Sequence, residues 1–164
     1  GDMNRYLRED RGAMVRDVVA MAMSHGVCAL SKYQTDLQYF YKTPTKISWN
    51  DAYKERVGSY HRCETINDML QALNLNNPLV IGVLVYESFD TPINGKIQPH
   101  TSSQGVLGGH CVCIDGFDQR EESFILANSW GDGWGNRGRV FISYKEMESI
   151  LMDSWAITKT ITKR

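Results

Sequence analysis

The sequence predicts an α+β fold, with a helical piece over residues 1–48 and an antiparallel β-rich lobe over residues 49–164. Three observations predict it. Gly12–His25 carries apolar residues at Met14, Val15, Val18, Val19 and Ala22, which is the spacing of one helical face. From Leu79 the texture changes to short Val- and Ile-rich runs separated by turn residues. Only two or three short helices are read among those runs, so the lobe reads as antiparallel and β-rich.

Taken in order, the first helix is expected to stop at Gly26. A loop follows through Tyr41–Thr45, where Pro44 opposes helix. Ser48 reads as the N-cap of a short helix around Asp51–Val57. Thr65, with Asp68 three residues on, reads as the N-cap of a helix running through Ala72, and Asn76-Asn77-Pro78 ends it. Leu79–Tyr86, Val106–Phe117, Ser123–Asn128, Gly138–Tyr144 and Ser154–Thr160 are strand candidates, with one short helix in Lys145–Leu151. Pro92–Gly105 reads as a polar loop.

Bulk properties exclude several classes. The chain has 18 Lys+Arg against 19 Asp+Glu and a net charge of −1, with no block of like charge, so nothing favours nucleic acid or an anionic membrane. No apolar run reaches the roughly 18 residues of a membrane span. Gly1–Arg11 is polar and charged, unlike a signal peptide, and Gly1-Asp2 before Met3 fits either a cloning scar or a processed start. The 42% apolar content is enough for a real core. Cys28, Cys63, Cys111 and Cys113 do not form the framework of a small disulfide-rich domain, and the expectation for them is small buried hydrophobes. His61-Arg62-Cys63 and His110-Cys111-Val112-Cys113 lack the spacing of a structural zinc site, so no metal is expected. His25 and His100 read as ordinary surface residues.

Two segments carry chemistry. One is Gly108-Gly109-His110-Cys111-Val112-Cys113, and the other is Ala127-Asn128-Ser129-Trp130-Gly131, continuing to Trp134-Gly135. In a strand beginning at Gly109, His110 points to the face opposite Cys111 and Cys113. A hairpin can bring Asn128 to His110, where its amide oxygen would accept a hydrogen bond from the imidazole and fix its tautomer. Trp130 would cover that bond. The glycines allow the backbone to fold tightly over it.

Gly109-His110 with Asn128-Ser129-Trp130-Gly131 and Trp134-Gly135 resembles the second half of the papain family of cysteine peptidases. The resemblance extends to Asp10–Cys28, Leu79–Phe89 and Asp153–Ile157, and so covers nearly the whole chain. It implies a papain-like cysteine proteinase fold, with residues 1–48 as the remnant of an incomplete helical lobe and residues 49–164 as an antiparallel β-barrel-like lobe. It implies His110 as general acid and base, Asn128 as its orienting partner, Trp130 as a shield, and Trp134 lining the cleft. Gly109 leaves room beside the histidine, and Cys111 and a residue near Met152–Ser154 would form part of a substrate wall. Peptide or protein is the implied substrate, and no cofactor is implied.

The family's cysteine signature sits about 130–150 residues before its histidine, whereas 109 residues precede His110, and no Cys-Gly-Ser-Cys-Trp-like string occurs. The expectation is therefore a nucleophilic cysteine supplied by a companion segment or chain, with this chain alone inactive. The competing expectation is a non-catalytic papain-fold module with a structural or protein-binding role. Cys63, just before a helix start, is the weak internal alternative as nucleophile.

Overall fold

A computed structural model describes residues 12–34 and 42–159, with the backbone alone at Lys159. Gly1–Arg11, Tyr41 in the expected loop and Thr160 at the end of the last expected strand lie outside the described residues. The chain divides into two compact units, residues 1–59 with 159–164 and residues 60–158. The change of texture read at residue 48 thus precedes the packing division between Ser59 and Tyr60. The reason is local: the second helix is bonded to the loop after the first. Asp51 Oδ2 accepts from the Ala29 N–H at 2.9 Å, the Ser48 hydroxyl donates to the Lys32 carbonyl at 3.1 Å, and the Val27 N–H donates to the Glu55 carbonyl at 3.1 Å.

In the first unit, α1 spans Val15–Ser24 and buries Val15 and Val19. Gly26 ends it at φ +85°, where any Cβ would lie 1.7 Å from the Ala52 carbonyl oxygen. The second helix, α2, spans Lys46–Ala52, earlier than the Asp51–Val57 expected from Ser48. Thr45 is the N-cap, accepting from the Ser48 N–H, while the Ser48 hydroxyl is occupied by Lys32. Two hydroxyl residues three apart competed for the cap, and the one behind Pro44 holds it.

β1 (Val57–Arg62) begins in the first unit and ends in the second. It is absent from the expected elements because Gly58 and its mixed polar sequence give no clean alternation. In the second unit, α3 (Ile66–Asn74) starts with the full capping box read from Thr65 and Asp68. β2 (Leu79–Val85) follows, then the single turn α4 (Glu87–Asp90), β3 (Gly108–Asp118), β4 (Ser123–Ala127), β5 (Arg139–Ser143), α5 (Tyr144–Ile150) and β6 (Leu151–Lys159). The sheet order is β1-β6-β2-β3-β4-β5, and β2 pairs antiparallel with both β3 and β6, as β4 does with β3 and β5.

The period of two in each strand decides which side is dry. Leu79, Ile81 and Val83 of β2, Val112 and Ile114 of β3, Phe124 and Leu126 of β4, and Val140 and Ile142 of β5 are all buried. Met69 and Leu73 of α3 and Met147 and Ile150 of α5 join the same cluster. At roughly 1.5–3 kcal/mol for each large side chain, this burial is the dominant stabilising term of the unit. It also makes β3 a fixed platform. Among the described residues no helix is long and apolar enough to cross a membrane.

Candidate active site

His110 lies near the start of β3, opposite Val83 of β2. It shares the inward face with Val112 and Ile114 and is half-buried because the core thins toward that end of the strand. Asn128 follows the last residue of β4, where its backbone N–H donates to the Gly138 carbonyl at 2.9 Å. The returning loop is sharply turned: Gly135 has φ +58°, and a Cβ there would meet the Arg139 carbonyl oxygen at 2.5 Å. Glycine at 135 is required on both counts.

The two side chains meet. His110 Nε2 lies 2.8 Å from Asn128 Oδ1, and the same oxygen accepts from the Ser129 N–H at 2.8 Å. The backbone donor settles the chemistry. Oδ1 must be the carbonyl oxygen, since the reversed amide would turn its NH2 toward a fixed N–H. Two donors on the oxygen outweigh Asn128 Nδ2, which is buried with no hydrogen-bond partner among the described residues. Nε2 is therefore the donor in this bond, and Nδ1 is the ring nitrogen turned away from Asn128. An imidazole so held can take a proton at Nδ1 and give it back without moving.

Trp130 stacks on the imidazole with ring centroids 4.7 Å apart and planes 24° apart. It is 39% exposed. Trp134 is 8% exposed, and its Nε1–H donates to the Asp90 carbonyl at 3.2 Å. Gly109 lies 3.7 Å, measured from an ideal Cβ, from the Met152 sulfur.

The cysteines differ from the expectation of uniform burial. Cys63 is buried, Cys28 and Cys113 are half-buried, and Cys111 is exposed. Strand alternation explains Cys111 and Cys113: they occupy the outward face of β3, away from His110. Loss of surrounding water pushes the thiols of Cys63, Cys111 and Cys113 up from their ordinary value, with Asp115 adding to the effect at Cys113. That is the opposite of an activated nucleophile. Among the described residues no group of three or more His, Cys, Asp or Glu is placed to hold a metal ion.

His100 is not an ordinary surface residue. Its Nδ1 lies 2.9 Å from Oε1 of the buried Glu146, its backbone N–H donates to the same oxygen at 3.1 Å, and its ring stacks on Tyr86 at 4.1 Å. No local pattern marks this pair, because its members are 46 residues apart. Phe89, on the α4 turn, also went unread as a site neighbour, although its ring meets His110, Trp130 and Trp134.

The family model described as papain family cysteine protease matches residues 9–160. The chain belongs to the papain family of cysteine proteases. An uncharacterized peptidase C1-like protein of Acanthamoeba polyphaga mimivirus is 31% identical over 169 residues, covering 94% of this chain and 54% of that protein. The cathepsin B-like cysteine proteinase 3 of Ostertagia ostertagi is 33% identical over 93 residues, covering 53% of this chain and 52% of the relative. Among solved structures, xylellain, a cysteine protease from Xylella fastidiosa, superposes with a TM-score of 0.80 at 26% identity, over 96% of this chain and 65% of that one. The bromelain protease of Ananas comosus, in complex with the E64 inhibitor, shares the fold with a TM-score of 0.66 at 21% identity, over 90% of this chain and 70% of that one. The chain spans about half the length of the curated relatives it matches.

Proposed function

We propose that this chain supplies the acid–base half of a papain-like cysteine peptidase, and that the thiolate comes from a cysteine outside these 164 residues. His110 takes the thiol proton at Nδ1, the thiolate attacks a peptide carbonyl, and the imidazolium protonates the leaving amine. Asn128 holds the ring through Nε2, and Trp130 keeps water from that bond. Trp134, Gly109 and Cys111 belong to the surroundings of the cleft, and a peptide or protein is the substrate. The chain by itself is inactive on this reading.

The observation that carries the proposal is the 2.8 Å bond from Nε2 to an oxygen already fixed by the Ser129 N–H, which leaves Nδ1 as the free base. On this reading the companion segment would dock on the helical piece, where Met14 at the N-cap of α1 and Val18 and Met21 on the helix are exposed and lie about one turn apart.

The second reading is a papain-fold module without catalysis, acting as a structural or protein-binding part. It is favoured by Cys111 and Cys113, which lie on the face of β3 opposite His110, and by the thiols of Cys63, Cys111 and Cys113, which are all pushed up from their ordinary value. One experiment separates the two. The coding sequence upstream of Gly1 is read, the protein is produced with it, and a thiol-directed electrophile is added near neutral pH under reducing conditions. Labelling of an upstream cysteine is expected. Serine, glycine or alanine at that position, or no labelling, sinks the peptidase reading.

A further inference from the structure

The outward face of β3 gathers three sulfurs that the His110–Asn128 pair does not use. Gly109, Cys111, Cys113 and Asp115 alternate with His110, Val112 and Ile114, so the two thiols share one side of the strand. Two residues of extended chain separate their Cα atoms by about 6.8 Å. In strands both common χ1 rotamers lean along the chain, so two cysteines in opposite rotamers turn their sulfurs toward each other. Two sulfurs on one ion, each bonded at about 2.3 Å, stand no more than about 4.6 Å apart. The two Cβ–Sγ arms are long enough to close that difference.

The neighbouring strands leave room for this. Cys111 stands opposite Gly82 of β2, which has no side chain, and Cys113 stands between Val80 of β2 and Ala127 of β4. Both thiols are free, with Cys111 exposed and Cys113 half-buried. The third sulfur comes from β6, which β2 separates from β3. Met152 is 59% exposed, and its Sδ lies 3.7 Å from the place of a Cβ on Gly109, two residues before Cys111 on the same face. Thiolate and thioether sulfurs are the soft ligands that select copper(I). Two thiols are too few for a tetrahedral zinc site, whereas a monovalent d10 ion is satisfied by two or three sulfurs.

We propose that Cys111 and Cys113 form a two-thiolate site for copper(I), with the Met152 thioether as its third ligand. Binding exchanges two S–H bonds for two S–Cu bonds and releases two protons, with no change of oxidation state. The charged groups on this face are Asp115 of β3, Arg139 of β5, and Asp153 of β6 opposite Gly82. Asp115 works against the Cys113 thiolate and Arg139 works for it. The site goes beyond the peptidase reading and does not depend on it, since it is read without activity.

The test is an anaerobic titration of the full chain with copper(I) buffered by a chromogenic copper(I) chelator, in a thiol-free reductant. The chain is expected to withdraw one ion, and that ion to shield both Cys111 and Cys113 from alkylation in peptide mass mapping. Cys111→Ser and Cys113→Ser are each expected to weaken binding more than about a hundredfold, beyond what the loss of an outer-shell partner costs. Met152→Leu is expected to weaken it by a smaller factor, and an unchanged affinity there strikes the thioether from the site. Cys28→Ser is expected to leave binding as it is. Because two protons leave, affinity should rise about a hundredfold per pH unit below the thiol range in the parent, and about tenfold in either serine variant. If a serine variant does not fold, the proton slope and the alkylation map of the parent decide. No withdrawal of copper(I), a one-proton slope in the parent, or protection of Cys28 in place of the pair overturns the proposal, as does a folded serine variant that binds like the parent.

Discussion

Residues 60–158 and the described part of residues 1–59 place their apolar side chains in opposite ways. In the larger unit every central strand has a buried row, and two helices lie on the same core. In the smaller unit Val15, Val19 and Ala52 are buried, while Met14, Met21, Val27, Leu30 and Ile47 are more than half exposed. Val27 and Leu30 line a hollow of about 400 Å3 with Cys28, Pro44 and Trp49. Both units obey their periodicities. The difference teaches that a helical period specifies an apolar face but not what covers it, whereas the buried rows of the sheet share one core with α3 and α5. His110, with all the partners described for it, sits in the unit that is complete in this sense.

The strongest way to exploit that comparison is at the site. His110→Ala in the protein carrying its companion segment is expected to lower electrophile labelling by about 10²–10⁴-fold, with an unchanged cooperative unfolding transition. Loss of the fold instead of the chemistry would mean that the imidazole serves packing. Next in size is Phe124→Ala, which empties a fully buried position of the larger unit. Denaturant unfolding should show a loss of about 3–5 kcal/mol, a large part of the stability of an ordinary domain.

A smaller effect is expected at the start of α3. Thr65→Ala removes the cap and should cost about 1 kcal/mol. Asp68, whose carboxylate accepts from the Thr65 and Glu64 N–H groups, is held below its ordinary range, first by its side-chain bond with Thr65 and then by those backbone bonds. A depressed carboxylate stabilises the fold above its unfolded pKa, and that contribution is lost as pH falls through the folded value. The difference between the parent and Asp68→Asn is therefore expected to shrink below about pH 4. A difference that stays constant down the acid limb would remove Asp68 from the cap. The smallest effect tests the other unit: Met21→Lys, on the exposed stripe of α1, should change stability by less than about 0.5 kcal/mol. A loss as large as that of Phe124→Ala would show the stripe to be packed, and the contrast between the units would disappear.

Much of this was legible. The helix stopped by Gly26, the capping box at Thr65 and Asp68, the buried run Leu79–Val85, the strand holding His110 and the strand that ends just before Asn128 stand where periodicity and turn residues put them. The opposition of His110 to Cys111 and Cys113 followed from the period of two. α2 starts earlier than read, because two hydroxyl residues offered a cap and only packing chose between them. β1 went unread because an edge strand with Gly58 needs no alternation once a neighbour supplies its hydrogen bonds.

By itself, then, the sequence determined the capping box of α3, most of the strands of the larger unit, and which face of β3 the imidazole would share. Each of these depends on groups a few residues apart, where backbone geometry leaves few choices. Tertiary structure alone decided that Glu146 would be buried under His100, that Cys111 would be exposed, and that Phe89 would stand behind Trp130. Those contacts join elements far apart along the chain, and their energy exists only after the sheet has closed the distance between them.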